Sequence, residues 1–441
     1  MQKVTPLLLL VPLILGTFTK VFAQESDRLY TPKELKADLD FYFEMLYSNH
    51  PDPYYYCSLR EFEYQKSEIY SQLEQPLNKE QFAWIIGEIN SCVDRHSEIF
   101  IYTCIDPETI DKAREIKAFP IVRIVNGKVF FSDNIEDEIV EINGIATSSI
   151  LSEMKKYYNW KLPHFVNTRR MMGNWADIIL FKYKLKSPYE IRFSKENQIH
   201  IVEGIVYDEF LKKASASDQR LGTIGYSYKI FPNSSIAVFY IPTFTDSKKE
   251  EFLKTYKDFH KAVNEQKIKN IFYDLSMNGG GEHYGAAAVD IVAHDTVYFK
   301  LNKIKRENIT SVKKYEVNEI VSLPNFQSDI PKDRKLFVLQ GIGTTSNGDY
   351  FCRLVTENNL GILVGQNTGE PITGFTYSTH YEMPNTKIKF MIAAHLWDFS
   401  SYFDSETLQP DIYWDVNHLR EFTEKELNDI INHYKKHVQI K

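Results

Sequence analysis

Cysteine is scarce in this chain: 441 residues hold only Cys57, Cys92, Cys104 and Cys352. A chain of this length builds its core from apolar side chains, so four cysteines are no disulfide scaffold. They permit two disulfides, with three alternative pairings. No C-x-x-C and no H-E-x-x-H occurs, which leaves a zinc site without support, and no metal is expected. A basic surplus is also missing. Lys+Arg total 52 against 59 Asp+Glu, a net charge of −7, which excludes the electrostatic footprint of a nucleic-acid binder. Phosphate-loop and dinucleotide fingerprints are absent too. The glycines at 279–281 have the wrong spacing and no Lys-Ser/Thr follows, so no cofactor is expected. With 43% hydrophobic and 25% charged residues, the balance is that of an ordinary globular chain of two to four domains.

Long hydrophobic runs are limited to one. Residues 1–23 carry Lys3, the apolar stretch Pro6–Gly16, and Val21-Phe22-Ala23 before Gln24. That order of charge, apolar run and small residue is a secretory signal peptide, and the run is short for a bilayer span. An uncleaved N-terminal anchor is the alternative. No membrane span is expected after signal removal, and the protein is expected to be exported, periplasmic or secreted.

The rest of the chain divides by its periodicity. Thr31-Pro32-Lys33-Glu34 is a capping box with proline at the first helical position. Leu35, Leu39, Tyr42 and Leu46 then fall on one helical face. Further helices are predicted over 59–74 and 78–93. From about 118 the pattern turns to short strands, with Asn126-Gly127 as a hairpin signal and Ile139–Gly144 as a strand and turn. The last half alternates strands (236–241, 271–275, 335–340, 361–365) with helices (252–263, 282–293, 346–357), the signature of a sheet covered by helices. Ligands in such folds sit beyond the carboxyl ends of the strands.

Two turns stand at those ends. Asp274–Gly281 closes on three glycines, which let backbone amides approach a ligand. Gly343–Asp349 places Ser346 at a helix N-terminus, where free N–H groups and the macrodipole favour negative charge. The same position suits a plain N-cap serine. A serine nucleophile needs a base, and among 12 histidines His96 is the leading candidate. His283, His380 and His395 compete with it. A cysteine enzyme using Cys92 or Cys352 is a third reading.

Taken in order, these stretches resemble the C-terminal-processing (tail-specific) serine peptidase family, in the branch that includes tricorn-type enzymes. The stretches that carry the resemblance are Asp94-Arg95-His96-Ser97, Ile139–Gly144, Ile241–Phe244, Asp274–Gly281, Thr344–Asp349, Gly365–Gly369 and Pro410-Asp411-Ile412. The resemblance implies Ser346 as nucleophile, with the oxyanion held by the N–H of Asn347 and one from Gly280 or Gly281. Many members use a lysine base 25 residues after the serine, where this chain has Pro371. The tricorn-like branch uses a histidine, which implies His96, with Ser97 and an acid, Asp404 or Glu406, completing the relay. The implied fold is mixed α/β: an N-terminal helical segment (24–112), a small PDZ-like β-rich module (113–210), and a βα-repeat, crotonase/ClpP-like core (211–441). The implied activity is hydrolysis of peptide or protein substrates through an acyl-enzyme, without metal or cofactor. Ser276, Asn347-Gly348 and Glu370 depart from the family pattern. They support the alternative of an inactive member that binds peptides or hydrophobic ligands.

Overall fold

A computed structural model describes residues 28–101, 117–125, 127–132, 134–159, 171, 174–196, 198–206, 209–210, 225–308, 310–322, 330–400, 405–416 and 421–438. The signal segment 1–23, Cys104 and Asp404 lie outside the described residues.

Three helices open the fold: α1 (Pro32–Asn49), α2 (Leu59–Ser71) and α3 (Lys79–Ile86). Each begins with a reciprocal capping box, Thr31/Glu34, Ser58/Glu61 and Asn78/Gln81, which satisfies amides the first turn leaves open. The third helix is shorter than its apolar stripe predicts. It tightens at Gly87 into a 3-10 turn over Gly87–Ser91. A Cβ at Gly87 would stand 2.4 Å from the end of the Ile101 side chain, so the glycine gives that side chain room.

Five strands of four or more residues follow: β1 (Val122–Val125), β2 (Lys128–Phe131), β3 (Asn134–Ile142), β4 (Tyr189–Phe193) and β5 (Ile199–Val202). They form an antiparallel sheet in sequence order. Asn143 and Gly144, both at positive φ, turn the chain after β3, as expected of Asn-Gly. Helix α4 (Thr147–Met154) lies between β3 and β4. Leu39 and Phe62 of the helices share one core with Ile142 and Tyr189 of this sheet.

The C-terminal half is built on a six-stranded sheet. Its strands are β6 (Ser227–Phe231), β7 (Ile236–Tyr240), β8 (Asn270–Asp274), β11 (Lys335–Gln340), β12 (Ile362–Gly365) and β15 (Ile412–Tyr413), side by side in that order. All pairs are parallel except the antiparallel edge strand β6. Alternate residues feed two cores. Phe239, Tyr273 and Val338 pack with α5 (Lys249–Glu265) and α6 (Asn347–Glu357), while Val238, Phe272 and Leu339 pack with α7 (Glu424–Val438). Burial on both faces explains the near-continuous apolar runs.

The βα alternation read from the sequence omits a second sheet. Strands β9 (Val297–Asn308), β10 (Ser311–Ser322), β13 (Thr373–Glu382) and β14 (Lys389–Asp398) pair antiparallel in the order β10-β9-β14-β13. Strand β9 pairs with only the 395–398 end of β14. Alongside the other end runs the segment that carries His96. Phe100 N donates to Lys389 O, Met391 N to Glu98 O, and Ala393 N to Ser97 Oγ. Among the described residues this segment also makes one bridge, Ile99 with Phe390.

Candidate active site

Strands β8 and β11 are hydrogen-bonded neighbours, with Asp274 opposite Leu339, so their carboxyl-end turns meet. Thr345 N donates to Asn278 O at 2.9 Å, and Thr344 Oγ1 to Leu275 O at 2.8 Å. Asn278 braces the glycine turn: its Nδ2 reaches Ile241 O, and its Oδ1 accepts from Gly280 N. A Cβ at Gly280 would lie 2.5 Å from Ser346 Cβ, so the glycine is required by close approach. Ser276 folds its hydroxyl back onto Asp274 Oδ1 at 2.7 Å.

Ser346 occupies the N-cap position of α6, at φ 52° and ψ −128°. Positive φ in a residue with a Cβ costs on the order of 1–3 kcal/mol and clusters at functional turns. Its hydroxyl makes no capping bond, so the plain N-cap role does not hold. Asn347 follows as the first helical residue, and its side chain donates to Gly281 O. That contact ties the head of α6 to the glycine turn. Of the two glycines named from the sequence, Gly280 already donates its N–H to Asn278, which removes it as an oxyanion donor. Gly281, at φ 133°, is the glycine left for that role.

His96 arrives from the other side. Its backbone N donates to Asp94 Oδ1 at 2.7 Å, and its Nδ1 stands 3.9 Å from the same oxygen. Asp94 is buried, and its Oδ2 lies 2.8 Å from His50 Nε2. His50 Nδ1 accepts from Asp52 N, which assigns the Nε2 hydrogen to the bond with Asp94. Burial pushes the Asp94 carboxyl up. The hydrogen bonds from His50 and Ser97 and the nearby His96 outweigh that and hold it below the usual carboxylate range. The resemblance implies Asp404 or Glu406 as the acid, and Asp404 lies outside the described residues; Asp94 lies beside His96. Glu406 is exposed, and its carbonyl accepts from Ile372 N. Ser97 is fully buried, with its hydroxyl committed to Ala393 N and Asp94. It therefore acts on the position of Asp94.

Glu370 joins the two halves. Its buried Oε2 accepts from Ser346 N at 3.1 Å and lies 3.1 Å from Arg95 Nη2. It also lines a small cavity with His96, Asp94 and Tyr56. In the sequence Glu370 stands out only as a departure from a glycine. A second buried pair, Asp349 with Arg353, anchors the same region, because Arg353 donates to the carbonyls of Pro371 and Ile372. Burial pushes the Asp349 carboxyl up to about 6, and Arg353 pulls it back in part.

A cavity of about 170 Å³ opens beside Asn347. Phe299, Tyr350, Leu354 and Trp397 wall it, with Glu282 and Glu319 at the exposed rim. His283 stacks on Trp397 there; His380 packs against Phe100, and His395, held down to about 4 by burial and nearby lysines, contacts Tyr377. Cys352 is fully buried, with its thiol pushed up by burial, a poor setting for a nucleophile.

Residues 235–414 match the model of Peptidase family S41. The chain carries a Peptidase family S41 domain. The match over that stretch supports a hydrolase of the serine-peptidase class. No curated protein matches it. A solved structure of mature CPAF is similar over 87% of this chain and 92% of its own, at 12% identity and a TM-score of 0.57. Mature CPAF complexed with lactacystin matches over 95% of this chain and 98% of its own, at 13% identity and a TM-score of 0.56. The photosystem II D1 C-terminal processing protease matches over 87% and 93%, at 12% identity and a TM-score of 0.46. At these identities the first two likenesses establish a shared mixed α/β fold. No helix among the described residues is long and apolar enough to cross a membrane.

Proposed function

We propose that this S41 domain hydrolyses peptide bonds by a Ser346–His96 mechanism. The observation that carries this reading is Ser346 itself, held at positive φ at the head of α6, not capping it, against the glycine turn. In the proposed reaction His96 accepts the Ser346 proton as the hydroxyl attacks the substrate carbonyl, then passes it to the leaving amine. Asp94 orients the imidazole and stabilises its cation, and Ser97 and His50 keep Asp94 in place. The N–H groups of Gly281 and Asn347 hold the oxyanion, usually the largest single contribution to such catalysis. The cavity beside Asn347 takes a substrate side chain. A cavity of about 150 Å³ lined by apolar groups accommodates a benzene ring, so this one suits a large apolar or aromatic residue. The β-rich unit of five strands is proposed as a PDZ-like module. Residues 1–23 support export to the periplasm or beyond.

One observation favours the binding-protein alternative. The Glu370 carboxylate sits on the Ser346 amide, a negative charge beside a hydroxyl that must gain negative character. Turnover separates the readings. The full exported chain should cleave an unfolded polypeptide, with cuts beside large apolar residues, and a fluorophosphonate should stop the cleavage. Intact substrate after prolonged incubation, together with saturable peptide binding, would favour the binder.

A further inference from the structure

Cys57 and Cys92 lie on the segments that carry Tyr56 and Asp94, two residues lining the cavity that holds His96. Cys57 immediately precedes the Ser58 cap of α2, and Cys92 ends the 3-10 turn two residues before Asp94. Their Sγ atoms stand 2.8 Å apart, closer than two non-bonded sulfurs rest, and both side chains are buried. A disulfide requires a closer approach, about 2.05 Å, and side chains aimed at one another. The 2.8 Å separation leaves less than an ångström to close. Between these cysteines and the site lies a continuous set of contacts. His50, seven residues before Cys57, holds Asp94. Arg306 fixes the same segment through the carbonyls of His50 and Pro51. Tyr56, next to Cys57, lines the cavity that contains His96 and Asp94.

We infer that Cys57 and Cys92 form a disulfide that fixes the Asp94–His96 turn against the 50–57 segment, making the bond a positioning element of the site. The oxidant is a small or protein-borne disulfide, R–S–S–R. One cysteine thiolate attacks a sulfur of the oxidant and expels one R–S⁻, which takes up a proton. The second cysteine thiolate attacks the mixed disulfide at the protein sulfur and expels the other R–S⁻. Two cysteine thiols are thereby oxidised and one disulfide is reduced to two thiols. The Cys57 contact and burial both push the Cys92 thiol up, so the folded pair is a poor nucleophile. The exchange therefore belongs to the folding chain, before the pair is enclosed. The four other pairings open to Cys57 and Cys92 involve Cys104 or the fully buried Cys352 of α6.

The linkage is tested on the full chain refolded from denaturant in reduced and oxidised glutathione, quenched with acid, alkylated while unfolded, and mapped by mass spectrometry. The expected product is a peptide pair joined through Cys57 and Cys92, lighter by two hydrogen atoms than the separate thiol peptides, with Cys352 alkylated. Alkylation of both Cys57 and Cys92, or a bond from either to Cys104, overturns the inference. The kinetic consequence rests on the serine-peptidase reading. Refolding with dithiothreitol, or the double variant Cys57→Ser/Cys92→Ser, should lower kcat severalfold with KM little changed, and lower the melting temperature by several degrees. Linkage with identical kcat in both forms overturns the positioning role. Linkage with no hydrolysis in either form removes the peptidase reading and leaves the disulfide standing.

Discussion

Ser346→Ala abolishes peptide hydrolysis, lowering kcat/KM by about 10⁴–10⁶-fold, while the folded protein melts as the wild type does. The two halves of this expectation come from one geometry. The hydroxyl is placed at φ 52° and ψ −128° beside the glycine turn, so its loss removes the attacking atom. It caps nothing in α6, so its loss removes no helix contact. Were Ser346 an ordinary N-cap, alanine would cost about 1 kcal/mol and the melt would shift. Ser346→Gly sharpens the comparison. Glycine accepts positive φ without penalty, so that variant should melt no lower than wild type and be equally inactive. Kinetic assays beside calorimetry on the three proteins check both halves. Retained hydrolysis in Ser346→Ala would remove the nucleophile, and a lowered melt would restore the capping role.

His96→Ala carries the second large effect, a fall of about 10³–10⁵-fold in kcat/KM with KM little changed. The side chain is about a quarter exposed and its ring lies 3.9 Å from Asp94, so truncation should leave the core and the melt nearly intact. Free imidazole, taking the space that truncation opens beside Tyr56 and Glu370, should restore part of the rate. Full activity in His96→Ala would pass the base role to another group. His283, in the wall of the cavity beside Asn347, is then the first alternative.

Much of this arrangement is legible from local chemistry. Three capping boxes mark where the N-terminal helices begin, because side chain and amide satisfy each other within four residues. The apolar runs at 236–240 and 335–340 announce strands buried on both faces. Ser346 and the glycine turn stand out because strand ends in an α/β sheet are where backbone amides converge. Strands β9 and β10 are less legible. Lys303 stands where the alternation calls for an apolar residue, since much of that sheet faces solvent. The acid beside His96 is legible only in part. Asp94 lies in the quoted motif, but its commitment to His50, 44 positions away, exists only in three dimensions. Glu370 looks like a lost glycine in one dimension, and in the fold it joins Arg95 to the Ser346 amide. Long-range polar contacts of this kind leave no period in a sequence.

The central claim is that the Ser346 hydroxyl is activated. Its most direct test is the site of covalent modification by a fluorophosphonate. The full chain is treated with the probe, digested, and mapped by tandem mass spectrometry, with His96→Ala as the comparison. The account predicts one phosphonylated residue, Ser346, modified rapidly in the wild type and far more slowly without His96. An unmodified Ser346 in protein that still cleaves peptides, or equal labelling with and without His96, would contradict it.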